Sequence, residues 1–193
     1  VFVEWSRCND LVQDVNYPSN MAYADILSAA GELYGDEALK KKAQAVLAEV
    51  EKQSFNGEFY RDRAIRKDGV LTVTDDVTET CQYYAMFFGL VTKEKHADLF
   101  ETMVRRFGPE RNDKITYPAV WRSNAFIGNY IRLEVLLSYG LYEEVLKDSA
   151  EFFYKMALRT GSLWEHDNPG ASCCHGFASK AAAYIAQAHF GYL

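Results

Sequence analysis

Two stretches decide how this chain folds: 36-DEALKKKAQAVLAEVEKQ-53 and 81-CQYYAMFFGLV-91. The first is a charged, amphipathic helix pattern, and the second carries no charge at all. A helix with a charged face lies on the outside of a fold, whereas one that is apolar on every side is buried on every side. The same contrast recurs outward along the chain. Segments 93-KEKHADLFETMVRRF-107 and 141-LYEEVLKDSAEFFYKMA-157 resemble the first, whereas 174-CHGFASKAAAYIAQAHF-190 has only Lys180 beside its histidines. Helical periodicity and its punctuation predict helices at about 19–34, 36–53, 77–91, 93–107, 123–139, 141–157 and 174–190, with inner and outer types alternating. Gly35-Asp36 ends one helix and caps the next, Asp76 with Glu79 suits a capping box, and Gly108 and Gly140 suit C′ positions. Pro18 suits a first turn, with Asn16 or Ser19 as its cap.

Connection length alternates as well. Inner-to-outer links are tight (Gly35-Asp36, Thr92, Gly140), while outer-to-inner links run over about 54–76, 108–122 and 158–173. Antiparallel neighbours then collect every long loop on one face, beside the N-termini of the inner helices. Long loops in a compact domain usually carry function, and helix N-termini add free N–H donors and partial positive charge. A site is expected there. Three and a half hairpins cannot close a ring, because an inner barrel of six helices with six outside needs about twelve. No repeat at roughly 34–45 residues marks an open solenoid. The expected architecture is therefore all-α, about half of an (α/α)6 toroid. The chain opens on Val-Phe-Val-Glu-Trp, without an initiator Met or a leader pattern. Residues 1–193 are accordingly expected to be the C-terminal part of a larger catalytic domain.

Composition narrows the partners. With 49% apolar and 25% charged residues the chain can bury a core. A net charge of −6 argues against nucleic acid, whose binding needs a concentrated basic surface. No apolar run approaches the roughly 20 residues of a membrane span. Aromatics reach 15%; such rings often line carbohydrate sites and are also ordinary core material.

The densest polar constellation is the last long loop, 160-TGSLWEHDNPGASCCHGFAS-179. A carboxylate beside an aromatic ring, here Glu165 after Trp164, is the arrangement that activates water against a sugar stacked on the ring. Glu165, His166, Cys173, Cys174 and His175 are also metal-ligand types, but their spacing is not that of a zinc site, and neither metal nor cofactor is expected. Cys173 and Cys174 read as small residues packed near a helix start. Before the third inner helix, Arg122 beside Trp121 suits a sugar hydroxyl or a neighbouring carboxylate. Trp5 has no helix face to bury it. His96 and His189 read as surface or packed histidines.

Taken together, FVEW (2–5), DVNYPSNMAYADIL (14–27) and the LWE loop followed by SCCHGFAS (163–179) resemble the α-L-rhamnosidases of glycoside hydrolase family 78. The resemblance runs over essentially the whole chain and corresponds to the C-terminal half of their six-hairpin catalytic domain. It implies hydrolysis of terminal α-L-rhamnosides with inversion, Glu165 as general base, Trp164 shaping the pocket, and His175 on the substrate or orienting the base. It also implies that Glu4 and Trp5 contribute to the pocket, and that the protein works in a periplasm or outside the cell. Inversion requires two carboxyl groups about 6.5–9.5 Å apart. The family's general acid lies in an acidic, arginine-containing motif ahead of this region, so the chain is expected to be inactive alone. Two departures bear on substrate preference: a shorter Glu165–His175 loop, and Cys174 where an Asn often precedes the His. The other readings are a non-catalytic glycan-binding or scaffold domain, and an (α/α)6 glycosidase or lyase for another sugar. A cut toroid would also bare the flanks of its end helices and self-associate.

Overall fold

In the computed structural model, which describes residues 2–112, 117–124 and 127–191, local signals set the first hairpin. A short helix α1 (Arg7–Asp10) and strand β1 (Val15–Asn16) lead to α2 (Tyr17–Tyr34). Asn16 Oδ1 accepts from Ser19 N at 2.9 Å, and Pro18 occupies the first turn, where a missing N–H does no harm. At the far end Gly35 adopts a left-handed conformation (φ 67°), and Asp36 N returns to Gly31 O at 2.9 Å. Asp36 Oδ1 then accepts from Ala38 N at 2.8 Å and starts α3 (Glu37–Ser54). One dipeptide both stops α2 and caps α3, as expected.

The chain continues through strands β2 (Arg63–Lys67), β3 (Val70–Val73) and β4 (Val77–Thr78) to α4 (Glu79–Phe87) and α5 (Ala97–Arg105). A 3₁₀ turn (Pro109–Asn112) and β5 (Val120–Trp121) precede α6 (Gly128–Ser138) and α7 (Tyr142–Ser149). A π turn (Ala150–Tyr154) joins α7 to α8 (Lys155–Thr160), and a second 3₁₀ turn (Gly176–Ser179) opens α9 (Lys180–Phe190). Helices α2, α4, α6 and α9 pack in a row, each on the next. Outside them α3 lies on α2, α5 on α4, and α7 on both α6 and α9. The fold is all-α helical hairpins; α4 and α6 are buried on most sides, as their charge patterns predict, whereas α2 and α9, expected inside as well, each bury one face only. The core between the layers holds Met21, Tyr83, Phe100, Met103 and Leu136. Arg132 of α6 is buried with it. It pairs with Asp148 of α7 at 2.7 Å and donates to the carbonyls of Met103 and Val104 at the end of α5.

Several boundaries differ from expectation, each for a local reason. Helix α4 starts at Glu79, and its cap is Thr78, whose Oγ1 accepts from Cys81 N at 3.0 Å. Asp76 is no capping-box partner: it accepts from Arg63 Nε at 2.9 Å and Thr74 Oγ1 at 2.8 Å. Helix α5 begins at Ala97, not 93, because Thr92 Oγ1 collects the N–H groups of Glu94 and Lys95 into a turn. The expected loop 54–76 contains an antiparallel hairpin, β2 with β3, turned at Asp68-Gly69 with β1 on its other edge. Helix 123–139 begins five residues late, at Gly128, and helix 174–190 six residues late, at Lys180. Residues 113–116 of the expected loop 108–122 and 125–126 of helix 123–139 lie outside the described residues.

Candidate functional site

The long segments at the N-terminal ends of the inner helices send Phe59, Tyr60, Val120 and Trp164 into the core, and buried carboxylates tie them together. Asp62, 0% exposed, accepts from Thr78 N at 2.6 Å, Thr78 Oγ1 at 2.7 Å and Cys8 Sγ at 3.3 Å. It thereby ties α1 and the segment before β2 to the start of α4. Burial raises its carboxyl to about pKa 7, against the pull of those hydrogen bonds. Glu79 accepts from Gly108 N at 2.8 Å, Ser123 N at 2.9 Å and the Tyr83 hydroxyl at 2.9 Å, and pairs with Arg111 at 3.2 Å. Glu4 accepts from Thr80 Oγ1 at 2.6 Å, Ser123 Oγ at 2.7 Å and Gly128 N at 2.7 Å, as well as from the Ser6 hydroxyl. Burial raises its pKa too, opposed by the same donors. Gly128 is required here, since a Cβ would overlap Ser123 Oγ and Glu4 Oε1. The parallel pairing of Val77 with Val120 and of Thr78 with Trp121 completes the rim.

On this rim opens a cleft of about 440 Å³. Trp5 and Trp121 stand on it, 51% and 53% exposed, with Arg122, Asn124, His166 and Asp167. Phe2 meets Trp5 edge-on at 4.9 Å, and the Arg7 guanidinium lies over the Trp121 ring, 5.5 Å from its centre. Asn124 joins the two sides. Its Nδ2 donates to Trp5 O at 2.8 Å and lies 3.0 Å from His166 Nδ1, while its Oδ1 accepts from Asp167 N at 3.1 Å. Arg111 lines the cleft almost fully buried and donates through Nη2 to Tyr117 O at 2.7 Å and to Val120 O. The result is a polar, aromatic-walled depression held by fixed loops, able to stack a ring and hydrogen-bond its hydroxyls.

Of the residues singled out from sequence, the cleft brings together Trp5, Trp121 and Arg122. Glu165 does not line the cleft: it is half-buried, immediately precedes the lining residues His166, Asp167 and Asn168 in sequence, and its N–H donates to Ser172 O at 2.9 Å. His175 lies on the other arm of that loop, its N–H on Leu163 O at 3.0 Å. Four residues differ from expectation: Glu165 and His175 do not line the cleft, and Trp164 and Glu4 are buried. Trp164 is core, 4% exposed, with Nε1 donating to Thr160 Oγ1 at 2.7 Å and Arg159 stacked 5.5 Å away. It faces a separate groove of about 230 Å³ that shares only Asp167 with the cleft. Glu4 is enclosed, its oxygens taken by four donors, so it builds the cleft without meeting it. Ahead of the last helix, Cys173 is half-buried and packs against the core as expected, whereas Cys174 is exposed. His96 is packed, between Phe55 and Tyr60 and 2.7 Å from Glu51.

Sequence reasoning missed Asp62 and Arg111, which no motif flags. It also passed over Asp167, although Asp167 follows Glu165 by only two positions. Among the described residues no three His, Cys, Asp or Glu side chains gather as metal ligands, and no helix is long and apolar enough to cross a membrane.

No protein-family model matches the sequence, nor does any curated protein. Among solved structures the chain is similar to the crystal structure of a GH78 family rhamnosidase of Bacillus sp. GL1, with a TM-score of 0.67 and 18% sequence identity. The alignment covers 96% of this chain and 20% of that one, so this chain spans about a fifth of the length of its structural relative. At that identity the likeness establishes the fold, a run of all-α helical hairpins shared with a glycoside hydrolase.

Proposed function

We propose that this chain is the C-terminal part of an (α/α)6 glycoside hydrolase domain that cleaves terminal α-L-rhamnosides with inversion, and that its cleft holds the sugar. The observation that carries this reading is the pair of half-exposed indoles, Trp5 and Trp121, on a cleft whose polar groups are Arg122, Asn124, His166 and Asp167. An indole covers the apolar face of a pyranose, while guanidinium, amide and imidazole groups take its hydroxyls. The likeness in fold to a rhamnosidase supports the same reading. Glu165 serves as general base, removing a proton from the water that attacks the anomeric carbon. The acid partner belongs to the family's acidic motif ahead of this region.

A second reading is favoured by one observation: Asp167, rather than Glu165, lines the cleft. In that version Asp167 is the base and Glu165 supports the loop. The cleft itself is tested by titrating the chain with L-rhamnose while following the indole N–H resonances. The signals of Trp5 and Trp121 are expected to move and that of the buried Trp164 to stay. Trp121→Ala, which removes no core contact, is expected to weaken binding about five- to tenfold. Shifts confined to Trp164, or the same affinity in Trp121→Ala, would remove the cleft from sugar recognition.

A further inference from the structure

The chain has four cysteines, and they divide sharply. Cys8 and Cys81 are buried, and burial pushes both thiols well above their ordinary pKa. Cys173 and Cys174 are half-buried and exposed, and they are sequence neighbours. Their loop has two arms joined by hydrogen bonds on either side of the pair: Glu165 N–H to Ser172 O at 2.9 Å, and His175 N–H to Leu163 O at 3.0 Å. Further bonds hold the pair's own carbonyls, that of Cys173 by the Ser162 hydroxyl and that of Cys174 by the Ser172 hydroxyl at 3.1 Å. The opposite arm leads from Glu165 to His166, Asp167 and Asn168 on the cleft. The backbone around two accessible thiols is therefore the backbone that places one wall of the cleft.

Neighbouring Cα atoms across a trans peptide lie about 3.8 Å apart, whereas a disulfide usually spans roughly 4.4–6.8 Å. Joining Cys173 to Cys174 must therefore twist the peptide between them and displace the flanking N–H and C=O groups. A disulfide strained in this way is readily reduced again, the behaviour of labile rather than structural bonds. We propose that Cys173–Cys174 is a reversible modification site that a small disulfide oxidant closes to a vicinal disulfide, and that closure draws the Glu165–Asn168 arm away from the cleft. The exposed Cys174 thiolate attacks the oxidant's S–S bond and forms a mixed disulfide, releasing one small thiol. The Cys173 thiolate then attacks the Cys174 sulfur and releases the second. Two electrons pass from the protein to the oxidant, and the two cysteine protons leave on the released thiols. Cys173 Sγ, turned back toward Pro169 O at 3.8 Å and Ala171 O at 3.7 Å, stays within the loop as the resolving thiol. This inference is independent of the sugar that the cleft takes.

The test treats the chain with oxidised glutathione, maps the product by peptide mass, and measures amide hydrogen exchange at Glu165 and His175. The peptide holding Cys173 and Cys174 is expected to lose two hydrogen atoms. Exchange at both amides should then rise on the order of tenfold, as their hydrogen bonds open. Dithiothreitol should reverse both changes. In Cys174→Ser, a change at an exposed side chain, exchange should be the same with and without oxidant. A glutathione adduct that persists on Cys174, bridges between molecules, or two unchanged thiols would overturn the site. Ring closure with exchange unchanged would overturn its connection to the cleft.

Discussion

At the scale of single residues, the cleft rests on carboxylates that never meet solvent. Glu4, Asp62 and Glu79 each gather donors from segments far apart in sequence, and each does for a loop what apolar packing does for a helix. Asp62 makes the cost measurable. Its pKa of about 7 in the folded protein lies above its ordinary value near 4, so the folded state keeps a proton that the unfolded chain releases. Its contribution is fully present at low pH and is lost as pH rises through 7. Glu4, raised by burial, acts in the same direction. At Asp76 burial also opposes ionisation, but hydrogen bonds from Thr74 and Arg63 outweigh it and hold the carboxyl low, so its effect falls below this window. Urea unfolding between pH 5 and 7 is therefore expected to show stability falling with pH, by at most roughly 1.4 kcal/mol per unit from Asp62. Asp62→Asn should flatten that slope; an identical slope in the variant would show that Asp62 does not carry the proton. None of this was legible in the sequence. An Asp between two arginines at 61–63 looks like a surface residue, and only the fold reveals that Thr78 and Cys8 converge on it.

At the scale of elements, alternation of charge along the chain picked out α4 and α6 as buried helices, but it did not show that α2 and α9 each keep a face exposed. Boundaries were less legible, since side chains such as Thr92 and Thr78 compete locally for the N–H groups that would have started a helix earlier. The β2–β3 hairpin had a signal that helical periodicity overshadowed: Asp68-Gly69 between RAIRK and VLTV is a two-residue turn pattern, and both turn residues have positive φ. Between elements, the ion pair of Arg132 with Asp148 is a buried polar tie. It joins α6 to α7 and, through the carbonyls of Met103 and Val104, to the end of α5. Asp148→Ala leaves a buried guanidinium short of its charge partner and is expected to destabilise the chain by about 3–5 kcal/mol in chemical denaturation. A loss below about 1 kcal/mol, the level of an exposed pair, would mean that water reaches Arg132.

At the scale of the whole molecule, the row of inner helices ends on two bare flanks. On α2, Tyr23, Ile26, Leu33 and Tyr34 are exposed, the last two at 76% and 77%; at the other end Phe177, Ile185 and Phe190 face outward. Soluble monomers seldom present such apolar surface. The chain is therefore expected to self-associate, and sedimentation should show a weight-average mass rising with concentration. Ile26→Glu with Leu33→Glu should suppress that rise, and a chain that stays monomeric throughout would count against the exposed flanks as contact surfaces. The candidate site was half legible at this scale. Collecting the long loops on one face followed from connection lengths, and Trp5, Trp121 and Arg122 do meet there. The burial of Trp164 and Glu4 was not, because a residue's type does not say which side of a loop it faces. The central proposal is that the loop after Trp164 supplies the base to a sugar held by this cleft. Its most direct test is release of nitrophenol from an aryl α-L-rhamnoside by the longer protein that contains this chain, comparing wild type with Glu165→Gln and Asp167→Asn. Loss on the order of 10²–10⁴-fold in Glu165→Gln, with folding intact and Asp167→Asn affected less, is the predicted result. Undiminished hydrolysis in both variants, or none in the wild type, would contradict it.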